Sequence, residues 1–220
     1  SGSRLTAIYF VAIGRVSCNT PLSPCDGCLV AMLAARIPNR KWDVSFTTNG
    51  FLAGLVAITC PCYWVSPTGA ILLGAVAGVL VYFGVELLEY LRIDDPIGAV
   101  PVHMMNGIWG TLSLGLFASG EFGATGNFAP DNSAPLKGLF YGGGTQLLTA
   151  QFIGSAITCI ATFAIAMVVM GGLNAVGLLR ISQEGELEGL DLHEHGISAY
   201  PEYVISSVVT PAAMTIARER

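Results

Sequence analysis

Apolar residues run through this chain in long blocks that charged residues do not enter. No Asp, Glu, Lys or Arg occurs in residues 44–85, 96–120 or 138–179. A helix crossing a bilayer needs roughly 20 apolar residues. Each block can therefore hold one crossing, and the first and third can hold two, or one with a flank. CPCYWVSPTG, residues 60–69, breaks the first block with two prolines and a glycine, a strong turn signal. The pattern predicts spans over 46–62, 70–91, 96–118 and 147–179. Residues 19–37 form a weaker candidate, because Pro21, Pro24 and Asp26 are all unfavourable in an apolar helix. Residues 5–13 read as the end of a further span. The expected fold is all-α: a polytopic transmembrane helix bundle of about five full spans plus the end of one over residues 1–180, followed by a cytoplasmic tail over residues 181–220.

Composition agrees with the pattern. Hydrophobic residues make up 53% of the chain and charged ones 11%, where soluble domains carry about 25% charge; mean hydropathy is +0.64. The loop charges orient the spans. Arg36, Arg40 and Lys41 follow the 19–37 segment, the 60–69 turn has no charge, Arg92 follows the next span, the 119–137 loop carries Lys137 as its one basic residue, and Arg180 follows the last. Basic ends thus alternate with crossings, which places those ends and the tail in the cytoplasm of a cell membrane. Arg4 and Arg15 fall on the other side, against the rule. The net charge of −5 comes largely from the tail and points to no nucleic-acid partner. The chain opens on Ser1, without a signal peptide and as if in mid-helix, so an N-terminally truncated fold is expected.

Gly50 and Gly54 are four residues apart, as are Gly74 and Gly78. That spacing lets helix backbones approach closely in lipid, although glycine is also simply common in membrane spans. The cysteines are Cys18, Cys25, Cys28, Cys60, Cys62 and Cys159. The CxxC and CxC pairs among them lack companion ligands, so buried, apolar-like cysteine is the reading and no metal or other cofactor is expected. No nucleophile–base pair or phosphate loop is present, which argues against an enzyme.

His103 is the one ionisable imidazole inside the 96–120 block. Such a group is costly in a bilayer, so either it lines a polar pathway or it hydrogen-bonds a neighbouring helix. Asp94 and Asp95 precede it. Asp95-Pro96 reads as N-cap followed by proline at the first helical position, with both carboxylates favouring the helix dipole. On that reading His103 lies about two turns into its helix.

The segment LRIDDPIGAVPVHMMNGIWGTLSLGLF resembles the ammonium transporter family (Amt/Mep/Rh), in its bacterial Amt branch. KWDVSFTTNGFLAGLVAITCPCYWVSPTGAILLGAVAGVLV is similar to the two preceding helices of that family, GGGTQLLTAQFIGSAITCIATF to its last helix, ELEGLDLHEHGISAY to its cytoplasmic tail, and IGRVSCNT to the entry into an earlier helix. The resemblance covers residues 1–200. It implies a homotrimer at the plasma membrane with one narrow hydrophobic pore per subunit, moving ammonium, ammonia or methylammonium. His103 matches the second of the family's paired pore histidines. Ser3 matches the serine that helps bind ammonium at the outer vestibule, and Thr59 a threonine near the pore, whose alternative is a hydroxyl bonded back to its own helix. Asp94 and Asp95 match a pair read as structural. The tail residues Gly189, Leu190, Asp191, His195, Gly196 and Tyr200 are implied in subunit coupling and in docking a PII-type regulatory protein. A neutral imidazole offers one donor and one acceptor and titrates near physiological pH. In an apolar pore it can hold ammonia or relay a proton, where charged ammonium would meet a large desolvation cost.

Two departures stand against the resemblance. The first half of the family fold, with its other pore histidine and aromatic gate, has no counterpart here. The proline-rich PLSPCDGCL stands where the family has small apolar residues; an interior proline costs roughly 3 kcal/mol. The leading expectation is the C-terminal part of an ammonium transporter. An ammonium sensor on the same fold and a non-functional remnant are the alternatives.

Overall fold

The computed structural model describes residues 2–121 and 135–199, with side chains from residue 10 onward apart from residue 39. Two compact units divide the chain, Ser1–Cys159 and Ile160–Arg220. The helices are α1 (Gly2–Asn39), α2 (Val44–Thr59), α3 (Pro67–Tyr90), α4 (Asn106–Phe117), α5 (Gln146–Ala175), α6 (Gln183–Glu188) and α7 (Leu190–His195), with a π-helical stretch, Val100–Met105, leading into α4. Ser119 and Lys137 form an isolated antiparallel bridge.

The first correction to the sequence reading concerns α1. Residues 5–13 and 19–37, expected as the end of one span and a separate weaker one, form a single helix of 38 residues that contains Pro21, Pro24 and Pro38. At 1.5 Å per residue it extends about 57 Å. Prolines are tolerated in such helices when neighbours compensate, and here the seam around Pro24 does so. Pro24 is fully buried, and Ser23 Oγ beside it donates to the Gly54 carbonyl at 2.9 Å. The small residues Ser23, Gly27 and Ala31 make one stripe of α1, into which α2 and α3 fit their glycines.

Both glycine pairs serve that seam. A Cβ on Gly54 would lie 2.6 Å from the Ser23 oxygen, and one on Gly78 2.6 Å from the Gly27 oxygen; Gly50 faces Gly27 and Ala31, and Gly74 faces Ser23. Reading these contacts along α1 shows α2 antiparallel to it and α3 parallel. The buried core follows the same line: Ala31, Ala53, Ala57, Ala77, Val81 and Val102 form one cluster, and Ile58, Val65, Ala70 and Leu73 another. Trp109 of α4 packs against both, and its Nε1 donates to the Leu73 carbonyl at 3.2 Å.

Helix ends follow local chemistry. Asp43 caps α2 by accepting from the Phe46 N–H at 2.9 Å. Ser66 caps α3 by accepting from the Gly69 N–H at 3.1 Å, with Pro67 as its first residue. Among the described residues, two helices are long and apolar enough to cross a membrane by length and composition, α3 and α5; α2 has 16 residues. Among the described residues, α1 to α5 are the longer helices, and two of them meet that test outright. None of the α5 residues is buried. The cysteine reading is also corrected: Cys18 and Cys25 are exposed, the other cysteines are half-buried, and all are free thiols. Cys18 and Cys25 lie off the stripe of small residues that α1 presents to α2 and α3.

Candidate functional site

The segment carrying His103 is built on an incomplete ladder. Pro101 has no N–H to give. Its natural acceptor four residues back, the Ile97 carbonyl, instead receives Nδ2 of Asn49 from α2 at 3.1 Å. Asp95 accepts from the Ala99 and Val100 N–H groups, one on each carboxylate oxygen, both at 2.8 Å. The Val102 N–H reaches the Gly98 carbonyl at 3.0 Å. Beyond Pro101 the chain winds as a π-helix, a form that occurs in short bulges and is frequent at functional sites. Asn106, fully buried, donates from Nδ2 to the Pro101 carbonyl at 2.8 Å.

This arrangement alters the expected start of the helix. Pro96 is not its first residue: Pro96 and Ile97 form a turn, and Gly98 follows at φ +73°. Asp95 reaches over that turn. His103 therefore lies about one turn beyond Ala99 rather than two. Its neighbours Pro101 and Val102 are buried, with Pro101 packed against Gly84 of α3, whereas His103 and Met104 are exposed. The imidazole thus stands on the side of the segment turned away from α3. Asp94 is exposed and borders, with Glu89 and Asp95, a pocket of about 190 Å³ floored by Val85, Leu88 and Pro101. Thr59 is exposed, and its Oγ1 donates back to the Leu55 carbonyl at 2.7 Å. The side chain of Ser3, in the first turn of α1, lies outside the described residues, as does Tyr200.

At the other end of the same unit, sequence reasoning missed a polar clasp. Arg15 donates to the Val65 carbonyl at 2.7 Å and to the Glu121 carbonyl at 2.9 Å. Asn19, fully buried, donates to the Cys62 and Val65 carbonyls at 2.8 and 2.9 Å. Ser119 ties in through its N–H and Oγ, both donating to the Trp64 carbonyl. Arg15, an exception to the loop-charge pattern, is thus committed to loop carbonyls. The available signal was a polar residue inside an apolar helix, which also applies to Asn49 and Asn106.

The tail residues form a separate, small arrangement. Gly189, at φ +100°, joins α6 to α7, and Gly196, at φ +65°, ends α7 with its N–H on the Leu192 carbonyl at 2.9 Å. Leu190 borders an open groove with Leu179, Ile181 and the Arg180–Glu186 ion pair, whose closest atoms are 2.7 Å apart. His195 is exposed, whereas His193 covers Gly185 and sits 3.4 Å from the Glu188 carboxylate. The Ala199 N–H donates to Asp191 Oδ2 at 2.8 Å. That bond is the main reason the Asp191 carboxyl is held below the ordinary carboxylate range. A depressed folded-state pKa stabilises above the unfolded value of about 4 and is lost as pH falls through the folded one. Amide exchange at Ala199, corrected for intrinsic rates, should be constant from about pH 7 to 5 and accelerate below about pH 4. Asp191→Ala should exchange fast throughout; equal rates in the two proteins at neutral pH would contradict the assignment.

Comparison with known proteins agrees with this architecture. The Ammonium Transporter Family model matches residues 1–200. Ammonium transporter Amt2 of Archaeoglobus fulgidus is 36% identical over 214 residues, covering 97% of this chain and 44% of that protein. Ammonium transporter 1 member 1 of Solanum lycopersicum is 38% identical over 190 residues, covering 86% of this chain and 38% of its own length. A solved structure named Sensor Amt Protein superposes with a TM-score of 0.69 at 28% identity, covering 84% of this chain and 42% of that one. Mep2 of Saccharomyces cerevisiae does so at 0.69 and 25%, covering 79% and 38%. The chain therefore spans less than half the length of these relatives. With a family model matched along nearly all of the described structure and helices that superpose on solved relatives, this chain belongs to the ammonium transporter family.

Proposed function

We propose that this chain forms one wall of a transmembrane pathway for ammonium and ammonia, with His103 as its polar contact. The observation that carries the reading is the placement of His103: exposed, beside Met104, on an apolar segment whose Pro101, Val102 and Asn106 are buried, with its backbone held by Asp95, Asn49 and Asn106. An imidazole there can exchange hydrogen bonds with ammonia, or pass a proton, without a permanent charge. Potassium cannot shed a proton to enter such a route as a neutral species, so its desolvation cost remains. The facing wall comes from the portion of the family fold that this chain does not span. Residues 1–180 act as the membrane domain, three copies associate, and Ser3 contributes to ammonium recruitment with Thr59 beside the path. The tail from Gly189 to Tyr200 lies in the cytoplasm and couples subunits or receives a PII-type regulator.

Uptake of labelled methylammonium by the full-length protein in proteoliposomes tests the reading. His103→Ala should lower uptake at least about a hundred-fold, the lower end of the usual scale for removing a positioned proton-transfer group. Uptake unchanged in rate and in pH dependence would defeat it. A second reading, an ammonium sensor, is favoured by the similarity to the structure named Sensor Amt Protein. Saturable ammonium binding with no net uptake by the wild-type protein would select it.

A further inference from the structure

We propose that Asn106 is a positioning residue that fixes the direction of His103 by holding the π-helical turn between them. The proposal rests on the pathway reading of His103 for its effect on transport, but its structural part stands on separate observations. In π winding a carbonyl faces the residue five positions on. For Pro101 that residue is Asn106, whose Nδ2 donates to the Pro101 oxygen at 2.8 Å. Asn106 is 0% exposed in an otherwise apolar setting. Burying a primary amide is unfavourable unless it is bonded, and its Oδ1 has no hydrogen-bond partner. Packing alone would be met more favourably by an apolar side chain at this position. What the amide adds is a donor for the carbonyl of the one residue, Pro101, around which the regular ladder is already broken.

That donor sets a rotation. A π bulge holds one residue more than the α-helix it interrupts. If the stretch Val100–Met105 relaxed to α-helical winding, everything on its N-terminal side would turn by about 100° relative to α4. Pro101 cannot turn freely, since its ring is packed on Gly84, and Ala99 and Val100 are tied to Asp95. His103 lies between that fixed end and Asn106. Loss of the Asn106 donor therefore changes the face on which the imidazole stands.

The experiment compares wild type with Asn106→Ala and Asn106→Leu in the full-length protein. The second keeps the branched shape and loses the donor, so it carries the test if the first is poorly folded. Exchange of the imidazole C2 hydrogen, read by mass spectrometry on separate peptides, reports the surroundings of each histidine. The half-time at His103 should change several-fold in both variants while those of His193 and His195 stay as in wild type, and methylammonium uptake should fall up to about a hundred-fold, as a misplaced group would cause. An unchanged His103 half-time in the folded variants would overturn the proposal, whatever uptake does. Unchanged uptake in His103→Ala would instead defeat the pathway reading, and the exchange measurement would still decide the role of Asn106.

Discussion

Gly74→Leu should leave little or no folded protein. Gly74 lies where α3 crosses α1, and a Cβ there would fall 2.8 Å from the Ser23 carbonyl carbon and 2.9 Å from its Cα, with the carbonyl oxygen closer still. These are backbone atoms of a helix that is itself pinned on its other flank by α2, where Ser23 Oγ bonds the Gly54 carbonyl. Nothing at the crossing is a flexible side-chain tip that could swing aside. Added methylenes in a packed core cost about 1–3 kcal/mol when side chains can give way. Here a helix must move, so the cost is above about 3 kcal/mol, against a total stability of about 5–15 kcal/mol for a typical domain. Gly154→Leu on α5 provides the control, because a Cβ there meets nothing within 4 Å. Thermal melting and gel filtration in detergent should show loss of a monodisperse species for the first variant and wild-type behaviour for the second. Equal behaviour of the two would remove the seam as the organising contact.

The same seam shows what sequence patterning could and could not deliver. The apolar blocks placed α2, α3 and α5 to within a few residues, because the turn at residues 60–66 and the flanking charges are local signals. The glycine spacings pointed to close helix packing, and both pairs do face α1. The course of α1 was not legible. A proline is scored by what it does to an isolated helix, whereas the penalty at Pro24 is offset by contacts with residues thirty positions away. The start of the His103 segment was misjudged for a related reason. Asp95-Pro96 is a capping signature, but the carboxylate caps across an intervening turn that depends on the positive φ of Gly98. Arg15 and Asn19 bond loop carbonyls about 45–105 residues away, and Asn49 and Asn106 serve a ladder broken by Pro101. Those roles exist only once the helices are placed. The family resemblance singled out His103, but not the π turn that carries it.

The two adjacent aspartates, of which the sequence singled out Asp95 as the N-cap, should separate sharply on mutation. Asp95 accepts two backbone N–H groups at 2.8 Å, one per oxygen, at the start of the His103 segment. Hydrogen bonds to a charged acceptor are worth about 1.5–3 kcal/mol each, and the anion also complements the helix N-terminus. Asp95→Ala removes both acceptors where water has restricted access, so it should cost about 3–5 kcal/mol. Asp95→Asn keeps one carbonyl acceptor and should cost about half as much. Asp94 is exposed, so Asp94→Ala should stay within about 0.5 kcal/mol of wild type. Function should follow the same order. Releasing Ala99 and Val100 frees the fixed end of the π turn, and His103 is only one turn further on. Asp95→Ala should therefore lose most methylammonium uptake even at temperatures where the protein remains folded, Asp95→Asn should keep a measurable fraction, and Asp94→Ala should transport as wild type. Melting temperatures and initial uptake rates for the three variants check this directly. A larger loss in Asp94→Ala than in Asp95→Ala would mean that the acidic pocket beside Glu89, rather than the cap, is what the pathway requires.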